Sequence, residues 1–586
     1  MLFFLVGLLS SLLQVSSVLV DFQVAQPPPV PTNAQQCTIE ILRRDFAFSF
    51  GMSEIVQFTP PTDCGAPGTW AAITLNFTVT SNGTQFDRLG IFTFQNVEIW
   101  RTSTPEPTRD GIIWTYIKDV SRFTPLFAKN GTFILQLDNL IQTGLDGVYS
   151  TTLHATFYAS SPAHPPAIQA NTIIPLSTLR NDTGNDASVP PGFSINVTLP
   201  QNAVAVYAEI IPSGNAQEEF WYFNVPDEFV DDVPALGHGP FREVRLLIDG
   251  KVAGVAFPYP VIFTGGIVPT AWRPISAYGA IDLPSYYIDA TPFVPLLTDG
   301  QPHTFTLDVA SAEEDHTILQ NWFVSGVLQV VTDSSSERTT GTMLSYDADD
   351  FAVSSTTGVF DDNGDVHITV SATRSVKIAS EIVAGSGAKT LVEWEQSLSY
   401  VNVQDYLNDT LVQNLFQSAT GNVLSTHNGV PAVKDKFSFP LTINFTCLNT
   451  ACSFFSSDFD HSYDRNALPG LFLGSTIASR QISGGFFNVS SAGNTGNGTS
   501  NNTLVFRHTL TITDKQTNES FSYVDTKGNT YQRRVNAVLN NITLDEVSGS
   551  LASTTKKPAG AIVPGPTTNT GNFALPRLPG GREPSF

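Results

Sequence analysis

Hydrophobic and polar residues alternate along most of this chain, in short runs that glycine, asparagine and proline separate. In AITLNFTVT (72–80), apolar Leu75, Phe77 and Val79 flank polar Asn76 and Thr78, and FSFPLTINFTC (437–447) alternates in the same way. A period of two residues predicts β-strands with one buried face. The sequence shows no long, well-capped helix and no internal repeat. We therefore predict a mostly β protein.

Proline-rich breaks and changes in composition divide the chain into segments. Short alternating strands with turn residues between them are typical of β-sandwiches and jelly rolls. The region after Ser334 differs, because it is rich in Ser and Thr and poor in aromatic residues up to Val433. The predicted segments are a signal peptide (1–18), a Pro-rich linker (19–36), a first jelly-roll-like sandwich (37–160), a second sandwich (170–333), a C-terminal β-rich domain (334–550) and a disordered tail (551–586).

The net charge of the chain and its apolar first residues indicate which partners it can bind and where it is located. With 30 basic and 53 acidic residues the net charge is −23, which argues against binding of nucleic acid and of anionic membranes. The apolar start MLFFLVGLLSSLLQVSSVLV is typical of a secretory signal peptide, with an uncleaved membrane anchor as the alternative. We expect a soluble protein that is secreted, or delivered to the vacuole, and has no membrane contact after signal removal.

Cysteines and glycosylation sequons fit that compartment. Four cysteines allow three pairings, of which locality favours Cys37–Cys64 and Cys447–Cys452; free thiols are the alternative, and the spacing does not suit zinc. The alternation predicts that Asn76 and Asn444 face solvent. The sequon asparagines are Asn76, Asn82, Asn130, Asn181, Asn196, Asn408, Asn444, Asn488, Asn497, Asn501, Asn518 and Asn541.

Common catalytic signatures are absent: the sequence has no GxSxG elbow, HExxH motif, P-loop or dinucleotide-binding fingerprint. FDDNGDV (360–366) resembles part of a calcium loop, but Asn363–Gly364 between two strand-like runs favours a type I′ hairpin turn. The nine histidines show no metal-binding spacing. We predict neither a metal nor a cofactor.

Acidic, aromatic and arginine residues concentrate in three segments of the first two domains. The first is Asp87–Arg88 before an apolar strand, for which capping of a turn is the alternative. The second is Glu218 and Glu219 before Phe220, Trp221 and Tyr222; the third holds Trp272, Arg273 and Asp282 in a Gly- and Pro-rich stretch. Carboxylates beside aromatic rings suit carbohydrate, although a surface loop with a buried ring explains the second segment equally well.

Seven stretches carry a family resemblance. They are CTIEILRRDF, QFDRLGIF, VEIWRTSTPEPT, GIIWTYIKDVSRF, EFWYFN, GHGPFREVRLLIDGKVAG and FTGGIVPTAWRPI. They resemble the peptide:N-glycanase A family of plant and fungal acidic glycoamidases, from about Cys37 to Asp333. The resemblance implies hydrolysis of the amide between asparagine and the innermost N-acetylglucosamine of N-glycans, without metal or cofactor. It also implies N-glycosylated peptides and denatured glycoproteins as substrates, and an acidic working range.

A more distant resemblance is to the bacterial glycoamidase PNGase F, which has two jelly-roll sandwiches and an active site between them. QFDRLG is similar to its catalytic stretch, which implies that Asp87 is catalytic. Glu219 before Phe220–Trp221 is similar to its second catalytic carboxylate, and Glu218 competes for this assignment. Asp138 and Arg273 look like substrate-binding counterparts, although aspartate has a shorter reach than the glutamate of that protein.

These residues suit amide hydrolysis, which needs an activated water, a proton for the departing nitrogen and stabilisation of the carbonyl oxygen. Asp87 and a glutamate would supply the first two, and Arg88 or Arg273 the third. Trp221 and Trp272 are candidate sugar contacts. A non-catalytic glycan-binding protein and a glycoside hydrolase remain open as alternatives.

Overall fold

The computed structural model describes residues 18–489, 495–498 and 517–552. The predicted signal peptide up to residue 17, the sequon at Asn501 and the predicted tail from residue 553 lie outside these ranges. Helices are limited to single turns in the described part of the chain, and none is long and apolar enough to span a membrane. They are α1 (Thr124–Phe127) and α2 (Val294–Leu297), with 3-10 turns at Ser121–Phe123, Ala216–Glu218, Trp221–Phe223, Asp227–Phe229, Pro269–Trp272 and Thr291–Phe293.

The first sandwich packs a five-stranded sheet, in the order β1-β7-β4-β9-β2, on a four-stranded sheet, in the order β3-β8-β5-β6. Alternation explains the packing: in β9 every second side chain is buried. The rings of Phe92 and Trp100 stack in the core at 4.5 Å. The strands are β1 (Leu19–Val20), β2 (Gln36–Phe46), β3 (Glu54–Phe58), β4 (Ala72–Ser81), β5 (Leu89–Phe94), β6 (Val97–Ser103), β7 (Ile112–Asp119), β8 (Gly131–Leu137) and β9 (Tyr149–Tyr158).

The second sandwich has sheets of order β10-β18-β13-β16, with β11 also on β18, and β12-β17-β14-β15. Long β13 and β18 are almost entirely buried, because this sandwich is covered on both sides. The strands are β10 (Thr172–Leu176), β11 (Ala187–Val189), β12 (Phe193–Val197), β13 (Ala203–Gly214), β14 (Glu243–Ile248), β15 (Lys251–Ala256), β16 (Tyr286–Asp289), β17 (His303–Ala310) and β18 (Trp322–Thr332).

The C-terminal region forms one antiparallel sheet of twelve strands within the described residues. Its main path runs β19-β21-β22-β23-β24-β25-β26-β28-β29-β30, with β20 on β21 and β27 on β26. The strands are β19 (Thr340–Ala348), β20 (Val353–Phe360), β21 (Val366–Val383), β22 (Lys389–Leu407), β23 (Val412–His427), β24 (Val430–Cys447), β25 (Phe454–Pro469), β26 (Ser475–Asn488), β27 (Thr495–Gly498), β28 (Thr517–Asp525), β29 (Thr530–Val538) and β30 (Asn541–Ser548).

This long sheet packs directly against the second sandwich. One continuous cluster of buried apolar residues runs from Leu176 in β10 to Val489. Polar contacts add to it: the amide of Gln396 in β22 both accepts a hydrogen bond from the Val255 N–H and donates one to the Val255 carbonyl, each 2.9 Å long. The two segments therefore share one core, although the sequence pattern divides them at residue 334.

The segment predicted as a linker (19–36) begins with residues that are fixed in place. Strand β1 pairs in parallel with β7, and the Phe22 N–H donates a 2.9 Å hydrogen bond to the Pro274 carbonyl. Asp21 and Val24 are completely buried. The segment therefore differs from a solvated linker, because Phe22 and Val24 pack in one apolar cluster with Ile275 and with residues of β28 and β29 in the long sheet.

The predicted disulfides Cys37–Cys64 and Cys447–Cys452 are both present, with Cα atoms 5.7 and 4.7 Å apart. Asn444 is exposed between buried Ile443 and Phe445, as predicted. Asn76 is half-buried between fully buried neighbours. Exposed sequon asparagines in the described chain are Asn82, Asn130, Asn181, Asn196, Asn408, Asn444 and Asn541.

The hairpin predicted at 360–366 is present, since Phe360 pairs with Val366. The prediction of a type I′ turn at Asn363–Gly364 was wrong. Only Gly364 has a positive φ, at 83°, whereas a type I′ turn requires two such residues. Asp361 accepts hydrogen bonds from the N–H groups of Asn363 and Asp365, so its carboxylate stabilises the turn. No group of metal-ligating side chains occurs among the described residues.

Candidate active site

Asp87 is half-buried and lies in the short segment that leads into β5. The segment is held beside the chain that follows β6: the Thr104 N–H donates to the Arg88 carbonyl, and the Arg88 N–H donates to the Thr104 hydroxyl, both at 2.9 Å. The Arg88 guanidinium donates to Gln85 at 2.7 Å and to Asn139 at 3.2 Å. These bonds fix the main chain and the side chain of Arg88, the residue directly after Asp87.

Glu106 reaches the same point as Asp87. A Cβ atom built on Gly265 would lie 2.7 Å from Asp87 Oδ1 and 2.5 Å from Glu106 Oε1. Both carboxylates therefore meet over the α-carbon of Gly265. Glu106 and Asp87 belong to the first sandwich, and Gly265 belongs to the second. Glu106 is only 2% exposed. The pair consequently lies at the junction of the two sandwiches.

Arg273 supplies positive charge beside this pair. It is 3% exposed, and its Nη2 donates a 2.6 Å hydrogen bond to the Glu106 carbonyl and lies 4.0 Å from Glu106 Oε2. The preceding Trp272 donates from its indole nitrogen to the Gly266 carbonyl at 2.9 Å. This bond closes the loop that carries Gly265 and Arg273, and both residues of the loop approach Glu106.

Electrostatics around the site reflect its burial. Burial raises the pKa of Tyr149, and the nearby Glu106 and Asp87 carboxylates raise it further. Burial also raises the pKa of Asp21 to about 7, against the opposing effect of Arg273. Asp21 is therefore largely protonated, and uncharged, in acidic solution. It then does not neutralise the positive charge of Arg273, which remains available to interact with Glu106.

The adjacent glutamates Glu218 and Glu219 have different surroundings. Glu218 is completely buried and binds the Arg242 guanidinium with two oxygens, at 2.6 and 2.8 Å. It also accepts from the Leu319 N–H and the Trp322 indole, at 2.8 and 2.7 Å. Four such bonds occupy the carboxylate with structural partners, which argues against the competing catalytic assignment of Glu218.

Glu219 remains the better candidate of the two. It is 5% exposed, and its charge acts together with burial to raise the pKa of Tyr222. The next residue, Phe220, approaches the Gly265–Gly266 loop: its Cε1 lies 3.3 Å from the position of a Cβ on Gly266. The segment of Glu219 thus contacts the same loop that meets Asp87 and Glu106.

The remaining predicted site residues are placed as follows. Trp221 and Trp272 are 3% and 1% exposed; their burial argues for a packing role in place of the predicted sugar contact. Asp138 is half-buried and accepts from the Gly51 N–H at 3.0 Å and from the Gln136 amide at 3.1 Å. It precedes Asn139, which binds Arg88, so it lies on the Asp87 side of the junction.

Sequence reasoning missed Glu106 and Gly265, although both lie in stretches that carry the resemblance, VEIWRTSTPEPT and FTGGIVPTAWRPI. The available signal was a single acid held between two prolines, Pro105 and Pro107, directly after a strand. Prolines fix φ and limit how far such a segment can move. That rigidity does not reveal which side chain the glutamate will meet.

The fold and the site define an all-β protein of two sandwiches and a long sheet, with carboxylates and arginines gathered where the sandwiches meet. The model of the family Peptide N-acetyl-beta-D-glucosaminyl asparaginase amidase A matches residues 26–349, and that of the PNGase_A C-terminal domain matches residues 367–441. The chain belongs to this amidase A family. All the site residues described above except Asp21 lie within the first match.

The chain is also similar to individual proteins. Peptide-N4-(N-acetyl-beta-glucosaminyl)asparagine amidase A of Prunus dulcis is 35% identical over 351 residues, which are 56% of this chain and 59% of that protein. The match thus spans less than two thirds of the relative. Among solved structures, PNGase F, a glycosylasparaginase from Flavobacterium meningosepticum, is 14% identical over 51% of this chain and 97% of its own, with a TM-score of 0.34. PNGF-II is 14% identical over 51% of this chain and 66% of its own, with a TM-score of 0.36.

Proposed function

We propose that this protein is a glycoamidase that hydrolyses the amide bond between asparagine and the innermost N-acetylglucosamine of N-linked glycans. The products are a peptide with aspartate at that position and a glycosylamine. The observation that carries the proposal is that Asp87 and Glu106 meet beside Arg273 at the junction of the two sandwiches, inside the segment that matches the amidase family. N-glycosylated peptides and denatured glycoproteins are the proposed substrates.

In this proposal Asp87 orients and deprotonates the attacking water. The Asp87 carboxylate is half-buried, so a bound substrate and water can still reach it. The buried groups around it lower the local dielectric constant, which strengthens the electrostatic attraction between the carboxylate and a proton. Arg88 or Arg273 stabilises the negative charge that develops on the carbonyl oxygen, as a fixed guanidinium does without reorganisation. Glu219 provides the second carboxylate, which transfers a proton to the departing nitrogen.

The test is mass spectrometry of an N-glycopeptide after incubation with the purified protein. Aspartate in place of the glycosylated asparagine is the expected product. A peptide that keeps one N-acetylglucosamine would instead identify a glycoside hydrolase. An unchanged glycopeptide that nevertheless binds would identify a glycan-binding protein. Either of the last two results would overturn the proposal.

We also propose that the protein is secreted, or delivered to the vacuole, and glycosylated. Support comes from the signal-like first 18 residues, the two disulfides and the exposed sequon asparagines such as Asn82 and Asn444. Protein collected from the medium should move faster on a denaturing gel after treatment with an independent deglycosylating enzyme. An unshifted band, or a protein retained in the cytosol, would contradict this proposal.

A further inference from the structure

Two short segments of the first sandwich run side by side and end in carboxylates. The hydrogen bonds between Arg88 and Thr104 align them. The Tyr149 hydroxyl lies between them, donating to the Phe86 carbonyl at 2.6 Å and lying 3.4 Å from that of Pro105. Tyr149 thereby fixes the residue before each acid, and the side chains of Asp87 and Glu106 project to the same place.

Gly265 makes room for both acids. The Thr264 hydroxyl donates a 2.6 Å hydrogen bond to the Thr104 carbonyl, which presses the loop of the second sandwich against the aligned segments. With the loop at this depth, a Cβ at position 265 would come closer to both carboxylates than side-chain atoms normally approach. The absence of a side chain at this position is therefore what allows the two acids to share the site.

Two neighbouring carboxylates oppose each other's ionisation unless cations balance them. The charged and titratable groups around the two acids are Arg88 on the segment of Asp87, Tyr149 of the first sandwich beside both acids, and Arg273 of the second sandwich beside Glu106. Arg273 is in turn faced by Asp21 of the N-terminal segment. Arg273 donates a 2.6 Å hydrogen bond to the Glu106 carbonyl and lies 4.0 Å from Glu106 Oε2, so its positive charge stands beside Glu106.

We propose that Glu106 is a positioning residue of the proposed active site: its carboxylate lies beside that of Asp87 over Gly265 and sets the pH range in which Asp87 is ionised. This inference rests on the proposed function. Removal of the Glu106 charge lets Asp87 lose its proton more readily, so the acid-side rise in rate moves to lower pH. At an effective dielectric constant of 20, two unit charges about 4 Å apart would displace the midpoint by about three pH units. Because the Arg273 guanidinium beside Glu106 offsets most of this repulsion, we expect a displacement of about one pH unit.

The first experiment compares pH–rate profiles of wild type and Glu106→Gln on a glycopeptide. Glu243→Gln is the matched control, because Glu243 is also a buried glutamate near an arginine, Arg374, 3.8 Å away. We expect the acid-side midpoint to move down by about one pH unit in Glu106→Gln and to stay in place in the control. A lower rate at every pH with an unmoved midpoint would overturn the proposal.

The second experiment needs no activity. It measures Tm between pH 4 and pH 8 for wild type, Asp87→Asn, Glu106→Gln and the double variant. We expect the double-variant shift to differ from the sum of the single shifts by about 2 °C or more near pH 7, and by an amount that changes with pH. Tm shifts that add up at every pH would show that the two carboxylates do not interact and would overturn the proposal. Coupling in a protein that releases no glycan would instead reject the proposed function and leave the pair standing.

Discussion

The side-chain amide of Asn402 donates a 2.9 Å hydrogen bond to the main-chain carbonyl of Tyr222, three residues after Glu219. Two residues further along β22, the Gln404 amide donates to the Asn224 carbonyl at the same distance. The long sheet therefore holds the loop that follows the candidate glutamate. The Arg273 loop rests on the same sheet, because the ring of Trp272 packs at 4.7 Å from that of Phe459. We infer that the C-terminal sheet supports the proposed site.

Asn402→Leu tests this support. The substitution removes a buried donor and leaves the Tyr222 carbonyl with a weaker partner, which should cost about 1–3 kcal/mol in the free energy of unfolding. Because the Glu219 segment loses its anchor, glycopeptide turnover should also fall, by about tenfold. Asn422→Leu, at an exposed position of neighbouring β23, is the control. Equal stability and turnover in the two variants would contradict the inference.

Measurements of stability and turnover should distinguish the roles of the adjacent residues Glu218 and Glu219. Glu218→Gln breaks a completely buried ion pair with Arg242, so we expect a loss of about 3–5 kcal/mol in denaturant unfolding. Glu219→Gln should stay folded with a near-native Tm and lose turnover by about a hundredfold. A stable, inactive Glu218→Gln beside an active Glu219→Gln would reverse the assignment.

Alternation along the chain was enough to predict the sandwiches, because a buried face imposes a period of two on every strand. Short sequence separation likewise indicated both disulfides. The site was less accessible. Glu218 and Glu219 look equivalent in sequence, and what distinguishes them is Arg242, 24 residues away from Glu218. Glu106 is recognised as a site residue only because it lies beside Asp87 over Gly265, which belongs to the other sandwich. Contacts between residues this far apart in sequence depend on how loops and domains pack, so the local pattern of hydrophobic and polar residues does not predict them.

The N-terminal segment, which a proline-rich composition made look like a linker, also carries a testable pH effect. Asp21 has a pKa of about 7 in the folded protein against 3.8 for an ordinary aspartate. Between these values the folded state retains a proton that the unfolded chain has lost. Stability therefore falls as pH rises from about 4 to about 7, by up to about 1.4 kcal/mol per pH unit.

Asp21→Asn removes this dependence, because asparagine does not titrate. Relative to wild type, the variant should gain stability progressively from pH 4 to pH 7, by on the order of 2–4 kcal/mol in total. Denaturant unfolding at pH 4, 5.5 and 7 checks the trend, with exposed Asp110→Asn as the control. A stability difference that is constant across this range would show that Asp21 is already ionised in the folded state.

Asp87 is the residue on which the proposed chemistry depends most. Asp87→Asn keeps the shape of the side chain and much of its hydrogen bonding but removes the charge that would take a proton from water. General base catalysis contributes about 10²–10⁴ in rate, so kcat should fall by at least about a hundredfold. If Asp87 only stabilised the turn before β5, asparagine would replace it with little change in rate or stability, because both residues are good hydrogen-bond acceptors in turns. Thermal unfolding and glycopeptide turnover should therefore be measured on one preparation. A folded variant with turnover within a few-fold of wild type would assign Asp87 to the turn and the catalytic base to another carboxylate.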